Sequence, residues 1–448
     1  MSRGPRSAGL QGGLGALPFA AIVFFNVSGG PYGIEDIVPQ FGPGLTLLLL
    51  VLTPLVWSLP VALVMAELAS AMPDEGGYVA WTTRAFGPFW GFQVGWWSWL
   101  DSFVDVAVYP ALFVEYARFW HPAMTSLERW GLALAFIVAL TALNLAGVRP
   151  TGRAAVVLAA GALAPIGALV VSGVVTLATG TGLVMPWHPF LAPSQTLPAG
   201  LGLGLAVVMW NYSGWDTPST ILGEVPTPER AFRVALLVAL PVIAVAYVLP
   251  VAVALASADV PREAWQTGAL PALAAALGGP WLGHAVALGA VVSTAGLFLS
   301  LLLTNSRLPY VLARDGRLPR GLARVHPRFG TPWPAVLVSA AVYAGCAAFS
   351  FKELIVLNVW LYSLALLVEL AAFLRLRRAE PGLARPWRVP GGTAGAVTVA
   401  VIPALLALLA MATAGWVNTA AGVGVALTGP LAWGVRCRRP FDGRGEPA

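Results

Sequence analysis

The sequence predicts an all-α, polytopic membrane fold with twelve transmembrane helices, and three observations predict it. The residues are 58% hydrophobic and only 10% charged, where a soluble domain carries about 25% charged residues. Apolar runs of spanning length, roughly 17–25 residues, recur along the whole chain of 448 residues. Arginine and lysine crowd alternate connections between those runs, the asymmetry that orients helices in a bilayer.

The runs fall near 14–41, 44–71, 88–118, 130–147, 154–179, 197–222, 232–257, 281–312, 334–350, 354–375, 393–415 and 417–435. They form one transmembrane domain over 1–448. The longest connection is the basic stretch Ala313–Pro334, so no separate soluble domain is expected. The opening MSRGPRSAGLQGG is short and polar, and no small-residue cleavage site follows it; no cleaved signal peptide is expected. Cys346 and Cys437 suggest neither a disulfide nor a metal site. The net charge of +6 reports loop asymmetry and does not point to nucleic acid.

With the N-terminus inside, only Arg118, Arg129, Arg262 and Lys352 of the 26 basic residues fall on outer segments. Both termini, including a basic tail at 436–448, are therefore expected in the cytoplasm. Spans 1–5 (14–179) and 6–10 (197–375) then form two halves of opposite orientation, five being odd, with 393–435 adding two helices.

Spans 1 and 6 carry helix breakers. In SGGPYG, Ser28–Gly33, a proline removes a backbone donor and three glycines accept unusual angles. In NYSGWDTPST, Asn211–Thr220, Gly214 loosens the helix and Pro218 forbids its plain continuation. Thr217 before Pro218 also resembles an ordinary helix start, and the first break alone could be a proline kink. Two breaks at equivalent positions point instead to a midplane binding site, because freed backbone groups must face protein or a water-filled cavity. Glu35 and Asp36 follow the first break, placed to cap the next half-helix or to line an outer vestibule.

Acids inside a membrane are costly and mark function. Here they are Glu67, Asp101, Asp105, Asp216 and Glu369, with no lysine or arginine near a span centre. A cationic substrate or a coupling proton would supply the missing partner. Gln93, Trp97, Asp101, Asp105 and Tyr109 recur every four residues and share one helical face. Asp101 and Asp105 stand one turn apart, where two like charges resist ionising together. Trp96, Trp97 and Trp99 offer faces for an ammonium. Structural hydrogen bonding by protonated acids is the plainer alternative. Ser293 and Thr294 could hold sodium with span-1 carbonyls, or only bond back to their own helix. The four histidines His121, His188, His284 and His326 are scattered. No catalytic residue, cofactor or metal site is expected.

At these residues the chain resembles the amino acid–polyamine–organocation superfamily. The stretch Trp210–Leu236, with its acidic E-V-x-x-P exit, looks like the sixth-helix signature, and Asn305–Pro334 looks like the eighth-helix exit and loop. VSGGPYGIED, AELASAMPDEGGYVAW, GPFWGFQVGWWSWLDSFVDVAVYP, WLYSLALLVELAAF and RPWRVPGG look most like the polyamine-uptake branch of plants and bacteria. The resemblance implies two inverted five-helix repeats plus two helices, alternating access and proton-coupled uptake. It implies that Ser28, Gly29, Gly30, Tyr32 and Gly33, with Asn211, Tyr212, Gly214, Trp215 and Asp216, line the substrate site, joined by Trp97, Asp101 and Asp105. Glu67, Asp105 and Glu369 are the expected proton-coupling residues. Span 5 lacks the lysine common in amino-acid members, and no outer-loop cysteine exists to join a heavy chain.

The expected function is secondary transport of a small amine across the cytoplasmic membrane: a polyamine or cationic amino acid first, a neutral amino acid second. The partners are that substrate, a proton in preference to sodium, and the lipid bilayer. A non-transporting amine sensor is the alternative of a different class.

Overall fold

The structure is a computed structural model that describes residues 10, 12–180, 185–193, 195–257, 265–347 and 351–437. The expected basic positions Arg3, Arg6, Arg262, Arg438, Arg439 and Arg444 lie outside them. Every regular element among the described residues is helical.

In order these are α1 (Ala16–Val27), α2 (Ile37–Phe41), α3 (Pro43–Thr53), α4 (Leu59–Ala71), α5 (Tyr78–Phe86), α6 (Pro88–Asp105), α7 (Val108–Ala117), α8 (Ser126–Leu145) and α9 (Val148–Thr179). There follow α10 (Leu197–Asn211), α11 (Pro228–Ser257), α12 (Leu270–Gly278), α13 (Pro280–Asn305), α14 (Arg307–Arg314), α15 (Trp333–Cys346), α16 (Phe351–Ala379), α17 (Gly392–Thr413) and α18 (Trp416–Cys437). A π-helical turn at Pro54–Ser58 joins α3 to α4, and a 3-10 helix spans Thr217–Glu224. Seven stretches among the described residues are long and apolar enough to cross a membrane.

Several helices begin with proline at the first position, after Gly42, Gly87 and Gly279. There the missing N–H costs nothing and the fixed φ suits the first turn. The α8 start is a full capping box: Thr125 Oγ1 accepts from the Glu128 N–H, and the Thr125 N–H donates to Glu128.

Burial sorts the helices into an inner and an outer set. Phe19–Val27 of α1 is buried all round, as is nearly all of Gly296–Asn305 in α13, the pattern of an element enclosed by others. Gly296 lets α13 pass the ring of Phe25, and Gly289 lets it pass Pro165 of α9. By contrast α9, α11, α17 and α18 expose Val157, Val171, Leu237, Leu405, Leu408 and Leu431. An apolar exterior around a polar-containing interior is the arrangement a bilayer demands.

The first break is where the sequence puts it. Helix α1 ends at Val27, and no helix resumes until Ile37. Gly30 and Gly33 have φ of 96° and 89°, the left-handed region that a side chain resists. The second break separates α10 from the 3-10 helix, with Gly214 at φ 96° against the Asn26 carbonyl. Its continuation is 3-10, and no side-chain cap forms; the capping role weighed for Thr217 is not found. Span 3 also differs from expectation, as α6 and α7 are separated by a turn at Val106–Ala107.

Candidate functional site: a carboxylate-lined cavity at the two helix breaks

A cavity of about 40 Å³ lies where α1 and α10 stop, room for about three waters. Asn26 and Val27 from α1, Asp101, Ser102, Asp105 and Tyr109 from α6 and α7, and Trp210, Ser213, Gly214 and Thr217 from the second break line it. Leu301, Asn305, Asn358 and Tyr362 complete the wall from α13 and α16.

Three carboxylates converge here, each held by a neutral donor. Trp210 Nε1 donates to Asp105 Oδ1 at 3.0 Å, and Asn358 Nδ2 donates to Asp101 Oδ1 at 3.0 Å. The Tyr362 hydroxyl donates to Asp216 Oδ1 at 2.8 Å and accepts the Gly214 N–H at 3.1 Å. Asn358 and Tyr362 are one turn apart on α16, so that helix reaches two of the three acids. The lining residues include no lysine or arginine, and neutral donors cannot cancel a carboxylate's charge. Ionised carboxylates here would make the cavity electronegative and suited to a cation.

Two backbone donors of the first break, those of Gly30 and Gly33, are already engaged. The Gly30 N–H donates to Ser28 Oγ at 3.0 Å. The Gly33 N–H reaches both Glu35 Oε2 at 2.8 Å and the Tyr116 hydroxyl at 2.7 Å. Glu35 thus closes the break on itself, while Asp36 accepts from the Thr267 N–H and hydroxyl instead of capping α2.

Of the residues expected to line the site, Asp101, Asp105 and Gly214 do so, and Asp216 borders it through Tyr362. The others have different partners. Trp97 Nε1 donates to the Ala426 carbonyl, Trp96 to Thr428 and Trp99 to Ser339. Gln93 lies against Gly429. The four-residue repeat of α6 therefore turns from α18 toward the cavity along its length. Tyr32 donates to the Ala162 carbonyl and Tyr212 to the Leu50 carbonyl. Asn211 donates to the Val207 carbonyl and accepts from Tyr247. Trp215 is buried outside the cavity lining, and Gly29 packs on α13, its carbonyl accepting from Ser293 Oγ. Thr294 bonds back to the Val291 carbonyl of its own helix.

Sequence reading missed Asn26, Trp210, Asn358 and Tyr362. Asn358 and Tyr362 carried a usable signal: polar groups four residues apart in the apolar run before Glu369.

Glu67 requires a correction. It was expected without a cation, but Arg377 Nε and Nη2 grip both its oxygens, Arg385 Nε stands 3.3 Å away and the Val389 N–H adds 2.7 Å. It belongs to a second layer, on the arginine-rich face. There Arg307 Nε and Nη2 meet Glu224 at 2.9 and 3.2 Å with both side chains fully buried. The Glu224 carbonyl accepts the N–H groups of Gly13 and Leu14, and Gly76 donates to the Thr220 carbonyl. Glu75, in the loop between α4 and α5, stands 3.6 Å from Arg314. Burial first, then the Glu224 charge, pushes its carboxyl up to about 8 against the pull of Arg307 and Arg314.

A carboxylate-lined cavity where two helices break is the kind of site that a transporter presents. The amino acid permease family model matches residues 20–432, and the chain belongs to that family. It is an integral membrane protein and not an enzyme. A probable polyamine transporter of Arabidopsis thaliana is 35% identical over 87% of this chain and 77% of its own length. A second Arabidopsis thaliana protein, a polyamine transporter, is 34% identical over 88% of this chain and 79% of its own. A polyamine transporter of Oryza sativa subsp. japonica is 35% identical over 88% and 73%.

Proposed function

We propose that this chain takes up a small polyamine, or another amine without a required carboxylate, by proton-coupled alternating access across the cytoplasmic membrane. The observation that carries the reading is the set Asp101, Asp105 and Asp216, converging at the breaks with only neutral donors. Each ammonium of a diamine would replace part of the missing positive charge, and Trp210 would offer its ring. The engaged N–H groups at Gly30 and Gly33 support a substrate with nothing for those donors to bind. The names of the plant relatives point the same way.

In this reading 14–179 and 197–375 are inverted repeats within twelve spans, and the arginine-rich face is cytoplasmic. The present conformation is then closed inward by the Glu67 and Glu224 ion pairs. A cavity for about three waters must enlarge to admit a diamine. Asp105 and Glu369 remain the proton-coupling residues; Glu67, bound by two arginines, is a closing contact instead.

Uptake of labelled putrescine, spermidine, arginine and leucine into proteoliposomes, with and without an inward proton gradient, tests this. Gradient-driven accumulation of putrescine or spermidine is expected, falling at least tenfold in Asp105→Asn. Leucine uptake with no polyamine uptake would sink the reading.

A further inference from the structure

A second cavity lies away from the helix breaks, at the end of the bundle where α7 stops and α8 begins. Its volume is about 280 Å³, far more than that of the carboxylate-lined cavity and near the lower end for a small-molecule site. Helix α8 supplies most of the lining and packs on both α7 and α15. The rings of Phe113 and Phe136, 4.4 Å apart, hold α7 against α8. Alanines at 111, 133, 344 and 347 line the hollow, and their short side chains leave it open.

The lining changes character along α8. Ser126 and Arg129 from its start, with Glu115 near the end of α7, make one end polar. Leu134 and Ile137, further along, make the other end apolar. Ser126 to Ile137 covers about 16 Å of helix axis, close to one leaflet of a hydrocarbon core about 30 Å thick. Trp130 sits between the two ends and is 56% exposed, while Leu127 and Val138 of the same helix are 77% and 60% exposed. Helix α8 therefore faces the bilayer, with an indole at the level where such rings anchor. The cavity opens on that side.

The polar end holds both signs of charge. Arg129 Nε donates to the Met124 carbonyl at 3.2 Å, which orients the guanidinium. Nearby acids pair with other residues, Glu115 with Arg118 and Glu128 with His121, so Arg129 keeps its charge for a ligand. Glu115 accepts from Arg118 Nη1 at 2.9 and 3.0 Å. That pair is partly exposed and weak, and a carboxylate has lone pairs for further donors. A ligand that suits this end carries a phosphate for the guanidinium and an N–H-bearing ammonium for the carboxylate. A ligand that suits the whole cavity adds an apolar chain. A choline headgroup has no N–H to give, and a glycerol headgroup brings no positive charge to Glu115.

We propose that this cavity binds one phospholipid with a primary ammonium, a phosphatidylethanolamine. Its phosphate lies at Arg129 and Ser126, its ammonium at Glu115, and one acyl chain along Leu134 and Ile137. None of these residues lines the cavity at the helix breaks, so the site stands or falls independently of the amine reading.

Native mass spectrometry of the purified full chain in detergent, titrated with dioleoyl phosphatidylethanolamine, phosphatidylcholine or phosphatidylglycerol, tests this. The wild type is expected to retain one phosphatidylethanolamine about tenfold more tightly than either other lipid, the worth of one hydrogen bond to a charged group. Glu115→Gln should abolish that preference, and Arg129→Ala should abolish tight retention. Arg129 is exposed and Glu115 half-buried, so both variants should keep the wild-type profile on size exclusion. Glycerophosphoethanolamine, the headgroup without chains, should not displace the lipid. Equal retention of the three lipids by the wild type, which needs no variant, overturns the proposal. So do a preference for phosphatidylglycerol, an unchanged preference in Glu115→Gln, and displacement by the free headgroup at equal concentration.

Discussion

The chain buries two groups of acids, and they differ in what faces them. Around the cavity, Asp101, Asp105 and Asp216 meet an amide, an indole and a phenol. On the arginine-rich face, Glu67 and Glu224 meet guanidinium groups in paired contacts. Neutral donors orient a carboxylate and leave its charge available; a guanidinium consumes the charge. In the proposed reading the first group exchanges its partner for a mobile cation, whereas the ion pairs of the second join distant elements. Burial separates them only by degree: Glu67 and Glu224 are 1% exposed, Asp216 and Asp101 5% and 9%, and Asp105 is half-buried.

The comparison is broken most forcefully by removing one arginine. Arg307→Ala leaves Glu224 buried and unpaired, which costs about 3–5 kcal/mol. Loss of the monodisperse peak on size exclusion, or a melting temperature many degrees lower, is expected. Asp216→Asn keeps shape and loses only charge. It should retain the melting temperature within a few degrees while amine binding weakens at least tenfold, about 1.4 kcal/mol. If the two variants behaved alike, the division between the groups would fail.

Glu75 sharpens the comparison from the side of pH. Burial, then the Glu224 charge, pushes its folded carboxyl up to about 8, above the ordinary carboxylate range. Between that range and about pH 8 the folded state holds more protons than the unfolded state, so stability falls as pH rises, by at most about 1.4 kcal/mol per unit. Melting curves from pH 5 to about pH 8 should slope downward, and Glu75→Gln should flatten them. The smallest effect is expected for Tyr362→Phe. It deletes one hydrogen bond to Asp216, about 0.5–1 kcal/mol net. Putrescine affinity should change severalfold, with the fold intact by size exclusion.

Much of this was legible beforehand. The apolar runs, the arginine asymmetry and both breaks depend on residues near each other in sequence, and the glycines adopt the left-handed angles that their breaks need. The stripe Gln93–Tyr109 misled because periodicity fixes a helical face but not its neighbour. Helix α18 covers Gln93 and Trp97 at one end of α6, and the turn at Val106–Ala107 interrupts the repeat at the other. Trp210 was hidden among apolar residues, with nothing local to mark its indole as a partner for Asp105.

By itself, then, the sequence determined the membrane class, the charge asymmetry between connections and the two interruptions, since hydropathy and the chemistry of proline and glycine act over a few residues. Only the tertiary structure decided which acids keep an available charge. Glu67 and Arg377 are 310 residues apart, and Asp216 and Tyr362 are 146 apart. Partners so distant meet through the docking of α4, α16 and the second break, and no local pattern encodes that a carboxylate will face an arginine in one place and a tyrosine in the other.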